Sequence, residues 1–245
     1  MILFGIEYEN ISKAVALEKI FGLLSTSSKS SVYFLNADCL NISLRDGQYR
    51  DILKSASLVL PDGIGLKIAT KIFGGKMEED CNGTDLSPLI MGKAAKDEYR
   101  IYLLGGREGV AEKAAKNISK QIAGIKIVGT NSGYFSEDSE IISDINNSGA
   151  DILFVAMGVP LQEKWIAKHR QDLNPRLCLG VGALFDYLSG RIPRAPIFMR
   201  KIHLEWLWRI FIEPKRMFKR YIIEGAKLFW CILKYRLTAK CSELK

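Results

Sequence analysis

The sequence predicts an α/β fold: a doubly wound, mostly parallel sheet followed by a basic, amphipathic helical C-terminal appendage. Three observations carry this. Short apolar runs recur along the chain, helical patterns separate them, and most runs end in Gly, Asn or Asp. The runs are SVYFLNA (31–37), SLVLPDG (57–63), RIYLLGG (100–106), KIVGTNSG (126–133), DILFVAMG (151–158) and RLCLGVG (176–182). Their apolar residues are nearly continuous, as expected for strands buried on both faces. Between two of them, Val110, Ala111, Ala114, Ala115, Ile118 and Ile122 share one helical face. In open sheets of this kind ligands bind beyond the carboxyl ends of the strands, where these glycines and carboxylates lie.

Composition agrees with a globular chain. Of 245 residues 48% are apolar and 25% charged, which excludes disordered and low-complexity classes. Five widely spaced cysteines (Cys39, Cys81, Cys178, Cys231, Cys241) form no CxxC or Cys/His cluster, so neither a zinc site nor a disulfide framework is expected. The start of the chain lacks a basic n-region, and Glu7 and Glu9 interrupt it early. The longest charge-free apolar run near the end, Leu228 to Leu233, is far short of the roughly 20 residues of a membrane span.

The net charge of +8 is unevenly placed. From Arg200 onward there are 12 Lys/Arg against 4 Asp/Glu, leaving the rest of the chain neutral. Residues 1–195 therefore read as a globular body and 196–245 as a basic, aromatic tail. Pro214 is expected to break the tail into two helices. In the second, Arg216, Arg220, Lys227 and Lys234 form one stripe, and Phe218, Tyr221, Ile222, Phe229 and Ile232 fall mostly on another side. Such a helix suits the surface of an anionic bilayer, or packs on the body with a solvated basic face. No RNP or KH signature accompanies the cations, so nucleic acid is not an expected partner.

Several strand ends carry candidate chemistry. Gly105, Gly106 and Gly109 precede a helix N-terminus that can cradle a diphosphate, or form a structural turn. The pattern is not the full GxGxxG, and the next strand lacks the acid that holds an NAD ribose. A nucleotide other than NAD is thus favoured. Asp62, followed by Gly63, can accept a proton from a hydroxyl nucleophile or bind a sugar hydroxyl; it can equally cap the next helix. Gln162 and Glu163 fall in the first turn after Pro160, where they can read uracil or sugar hydroxyls or simply make an acidic first turn. Arg191 and Arg194 lie in a Gly/Pro-rich loop suited to bidentate diphosphate contacts. His169 and His203 stand alone, with no Ser or Cys elbow near either, and read as structural or surface residues. No DxD pair ends a strand, so no metal and no cofactor is expected. If a nucleoside diphosphate departs, Arg209, Arg216, Lys219 and Arg220 of the tail are the expected electrostatic clamps.

These residues resemble the WecG/TagA/CpsF glycosyltransferases, glycosyltransferase family 26. The matching segments are Asn36-Ala37, PDG at 61–63, NGTDL at 82–86, YLLGG at 102–106, GYF at 133–135 and GVPLQEKW at 158–165. The block GVGALFDYLSGRIPRAP followed by LEWLWRIFIEPKRMFKRY (180–221) is the most specific, and the likeness covers roughly residues 30–235. The resemblance implies a Rossmann-like, inverting and metal-independent transferase. Its donor would be a UDP-sugar (UDP-N-acetylhexosamine, UDP-hexose or UDP-hexuronic acid). Its acceptor would be a polyprenyl-diphosphate-linked saccharide, used in bacterial cell-surface polysaccharide synthesis at the inner face of the cell membrane. It makes Asp62 the proposed base, Asn36 a site residue and Gln162 part of the donor site. Arg209, Arg216 and Lys219 or Arg220 match arginines that complete the site and help membrane targeting. A homo-oligomer is compatible with this reading. Two positions depart from the family pattern: Phe34 replaces a common Thr, and Asp80 a common Arg, reversing the local charge. The alternative is a non-catalytic, membrane-associated nucleotide-sugar-binding regulator or scaffold.

Overall fold

Alternate side chains of each buried strand face opposite layers, so one continuous apolar run serves two cores. A computed structural model of the protein describes residues 1–26, 28–202 and 204–233; His203, Lys234 and Cys241 lie outside it, as do the side chains of Lys201, Arg216, Lys219, Arg220 and Tyr221. The chain opens with a hairpin, β1 (Ile2–Leu3) and β2 (Ile6–Glu7), and continues through α1 (Lys13–Ser25), β3 (Ser30–Leu35), α2 (Ala37–Ser43), α3 (Gly47–Lys54) and β4 (Leu58–Pro61). Next come α4 (Gly63–Ile72), α5 (Gly83–Lys96), β5 (Arg100–Gly105), α6 (Val110–Gln121), β6 (Lys126–Asn131) and α7 (Asp138–Asn147). β7 (Ile152–Ala156), α8 (Leu161–His169), β8 (Leu177–Gly180) and α9 (Leu184–Leu188) complete the body. The tail contains α10 (Ile197–Lys201), α11 (Glu205–Ile212), α12 (Pro214–Phe218) and a π-helical turn (Lys219–Glu224), then α-helix over 225–233.

All six expected strands are present and pair in parallel, in the order β4-β3-β8-β7-β5-β6. The chain runs from β3 out to β4, crosses to β5 and β6, and fills the middle with β7 and β8 last. One face carries Val32, Phe34, Leu60, Leu103, Phe154 and Leu179 against α1, α5, α6 and α9. The other carries Tyr33, Leu35, Val59, Leu104, Val155 and Cys178 against α2, α3, α4, α7 and α8. Polar caps fix where helices start: Ser12 Oγ accepts from Val15 N–H, Asp46 from Tyr49 N–H, and Asn82 from Asp85 N–H. At the end of β5 a side chain is excluded, because a Cβ on Gly105 would lie 2.5 Å from the Ala156 carbonyl oxygen.

The tail breaks at Pro214 as expected, with α11 ending at Ile212. Its apolar set divides differently from a uniform helical projection. Met217, Leu228 and Ile232 are buried, whereas Phe218, Ile222 and Phe229 are exposed. The π turn, with its wider repeat, shifts the helical phase and moves Ile232 away from the outward set. Leu228 and Ile232 join the core on the α2, α3, α4, α7 and α8 side of the sheet, and such burial stabilises docking by about 1.5–3 kcal/mol per side chain. Glu224 adds a polar latch, accepting from Arg45 Nη2 at 2.6 Å and Asn41 Nδ2 at 2.8 Å. Among the described residues no helix is long and apolar enough to cross a membrane.

Candidate active site

The carboxyl ends of the strands open into one cavity of about 1600 Å³. That exceeds the roughly 300–1000 Å³ of common small-molecule pockets and gives room for two substrates. Asn36, Asp62, Gly106, Met157, Gly158 and Gly182 line it from the sheet edge; Trp206, Arg209, Glu213, Leu228 and Phe229 close it from the tail.

Asn36 and Asp62 end neighbouring strands. Asn36 caps α2, its Oδ1 accepting from Asp38 N–H at 3.0 Å and Cys39 N–H at 3.1 Å. With the oxygen held there, its Nδ2 is directed to Asp62 Oδ2 at 3.3 Å. Asp62 occupies the cap position of α4, yet its side chain makes no capping hydrogen bond. The helix-cap alternative for its carboxylate is thereby removed. Gly63 lines the cavity beside it, and its N–H is bonded to Asp80.

Gln162 and Glu163 are both buried, at 2% and 1% exposure. Gln162 Oε1 accepts from Gly158 N–H (3.2 Å) and Gly182 N–H (2.8 Å), bridging the turns after β7 and β8. Its Nε2 donates to Glu163 Oε1 at 2.7 Å, which fixes the orientation of the amide. A Cβ on Gly180 would stand 3.0 Å from that Nε2, so the bridge needs glycine there. Gln162 reaches the cavity wall; Glu163 lies behind it.

Burial pushes the Glu163 carboxyl from 4.5 up to about 7, outweighing the Gln162 hydrogen bond. Between those values the folded chain holds a proton that the unfolded chain has released. Stability therefore falls as pH rises through this window, by up to about 3 kcal/mol. Denaturant titrations of wild type at about pH 5 and pH 8 are expected to show that fall, and Glu163→Gln to abolish it. An equal decline in the variant would place its origin elsewhere. Asp138 and Glu224 titrate in a different window, both carboxyls being held down to about 2; the Lys168 hydrogen bond leads at Asp138 and the Lys227 hydrogen bond at Glu224.

The remaining candidates separate into two groups. Gly106, Arg191 and Arg209 line the cavity. Arg191 pairs with Asp186 at 2.6 Å, and Arg209 stacks 5.5 Å from the Tyr187 ring centroid while donating to Glu213 at 3.1 Å. Gly105 and Arg194 do not line it. Gly105 packs on Ala156, and Arg194 pairs with Asp85 and Glu205, joining α5 to α11. Burial opposes ionisation of Asp85, but its Arg194 and Asn82 hydrogen bonds hold the carboxyl below the usual range. Arg216, Lys219 and Arg220 fall outside the described side chains. The sequence reading missed Arg107, Arg200 and Lys13, cations on the cavity wall. Arg107 had a signal, since it directly follows Gly105-Gly106. Among the described residues no three His, Cys, Asp or Glu side chains converge as metal ligands.

A parallel sheet whose glycine-rich carboxyl edge meets a basic wall and a directed carboxylate has the layout of a Rossmann-like group-transfer enzyme. The chain belongs to the glycosyl transferase WecG/TagA/CpsF family, which it matches over residues 1–242. It is a glycosyltransferase. It is 31% identical over 226 residues to an N-acetylglucosaminyldiphosphoundecaprenol N-acetyl-beta-D-mannosaminyltransferase of Bacillus subtilis (strain 168), covering 92% of this chain and 82% of that one. A protein of the same name from Bacillus spizizenii is 32% identical over 199 residues, covering 81% of this chain and 77% of its own. One from Staphylococcus aureus (strain MRSA252) is 25% identical over 218 residues, covering 88% and 85%.

Proposed function

We propose that the protein moves a sugar from a UDP-sugar to a polyprenyl-diphosphate-linked saccharide, with inversion and without a metal, in bacterial cell-surface polysaccharide synthesis. The observation that carries this reading is Asp62, directed by Asn36 in a cavity walled by the basic tail. The acceptor hydroxyl attacks the anomeric carbon as Asp62 takes its proton, and the bond from that carbon to the UDP oxygen breaks. A beta-linked product, as the relatives' names state, follows from an alpha-linked nucleotide sugar by one such inversion. Arg107, Arg191 and Arg209 meet the charge that develops on departing UDP. Gly106 gives the diphosphate close backbone access, while Gln162 and Glu163 set the floor beneath it. The relatives' names favour an N-acetylhexosamine donor and an N-acetylglucosaminyl-diphosphate lipid acceptor.

Residues 196–245 serve in this reading as an appendage that completes the site and seats it at the inner membrane face. Phe211, Phe218, Ile222, Ile223, Phe229 and Trp230 are exposed there, on a segment whose sequence is rich in the cations that anionic lipids attract. The test is UDP release from a panel of UDP-sugars, with and without a synthetic polyprenyl-diphosphate acceptor, in EDTA. Acceptor-dependent release with one donor is the expected result. UDP binding without release from any donor would instead favour the scaffold reading.

A further inference from the structure

A helix leaves its first N–H groups without backbone partners, and an aspartate at the cap position ordinarily turns its carboxylate onto them. At α4 this does not happen: Asp62 is the cap residue, but its side chain accepts none of them. The Gly63 N–H is taken by Asp80 Oδ1 at 2.9 Å.

The bend that delivers Asp80 is fixed by the residues that follow it. Cys81 N–H donates to the Pro61 carbonyl at 3.0 Å, carrying the segment along the end of β4. The Cys81 side chain is fully buried, and Asn82 caps α5. The Phe34 ring packs so closely on Gly83 that a Cβ there would lie 3.1 Å from it. Phe34 and Asp80 both line the cavity.

We propose that Asp80 is a positioning residue: by accepting the Gly63 N–H it fixes the peptide that joins Asp62 to α4 and so keeps the Asp62 carboxylate turned toward the cavity and Asn36. The inference rests on Asp62 being the proton acceptor proposed above. Asp62 spent on the helix terminus would be swung toward the α4 axis and would offer its lone pairs to the backbone instead of the acceptor hydroxyl. The Gly63 contact requires an acceptor oxygen at position 80, not a charge. A carbonyl oxygen in the same place makes it.

The experiment compares full-length Asp80→Ala, Asp80→Asn and Asp62→Asn in acceptor-dependent UDP release, with UDP affinity measured by titration. Asp80→Ala is expected to lower kcat by about tenfold or more while donor KM and UDP affinity stay within about twofold, because the interaction lost serves the reacting geometry. Asp80→Asn, whose side-chain oxygen accepts the same N–H, is expected to keep kcat within about threefold of wild type. Wild-type turnover in Asp80→Ala overturns the proposal. So does an Asp80→Asn variant as impaired as the alanine, since charge and not the Gly63 hydrogen bond would then matter. Should Asp80→Ala fail to fold, Asp80→Asn alone decides in the same way. An Asp62→Asn variant that retains turnover removes the base reading itself, a failure seen independently of position 80.

Discussion

Asp62→Asn is expected to lower kcat for sugar transfer by about 10²–10⁴-fold, the contribution of a positioned general base, with UDP affinity unchanged. The substitution is close to isosteric, and its amide oxygen still accepts from Asn36 Nδ2, which reaches Asp62 Oδ2 at 3.3 Å in the native chain. Asn36 itself is anchored by capping α2, so the local frame survives the change. What disappears is the capacity to take a proton from the acceptor hydroxyl. Steady-state UDP release at saturating donor, paired with a UDP titration, separates these two effects. Turnover within about tenfold of wild type would exclude Asp62 as the base.

The second large effect is expected at Arg209. Arg209→Ala should reduce kcat by about 10²-fold, the usual cost of removing a charge-stabilising donor from a preorganised site. The side chain is mostly shielded, at 11% exposure, and lies between the Tyr187 ring and Glu213. Its removal also leaves Glu213 facing the cavity with one cation fewer, which could itself repel a diphosphate. Arg209→Ala combined with Glu213→Gln distinguishes the two causes. A double variant that recovers turnover assigns the loss to Glu213; one that stays slow assigns it to the missing guanidinium. Arg209→Lys is expected to rescue only in part, because lysine keeps the charge but loses the planar fork stacked on Tyr187.

The six parallel strands were legible because burial on both faces leaves unbroken apolar runs. The hairpin of β1 and β2 was not, since each strand has two residues, below the length at which alternation can be seen. Its turn, Phe4 and Gly5 with φ of 51° and 77°, carries only half of the usual turn signature. In the tail, Pro214 announced the break, whereas the π turn left no mark in residue spacing and re-phased the apolar face beyond it. At the site, Asn36, Asp62 and Arg209 were legible because strand ends and the cationic tail restrict where such side chains can go. Which side of a turn a residue faces is set by tertiary packing. For that reason Gln162 was found in the cavity wall with Glu163 behind it, Arg194 between helices, and Gly105 against Ala156.

The order of the strands also governs how the molecule is born. β7 and β8 occupy the middle of the sheet but are among its last parts to be synthesised, so a nascent chain that stops short of them holds two half-sheets with raw inner edges on β3 and β5. Val32 can meet Leu179, and Tyr33 can meet Gly180, only after nearly the whole body has left the ribosome. Such distant pairings close slowly, and the waiting edges are prone to stick to other chains. Asn36 and Asp62 can come together early on adjoining strands. The turn at Gly182 that floors the cavity arrives late, and the tail residues that close it, Trp206 to Phe229, only after that.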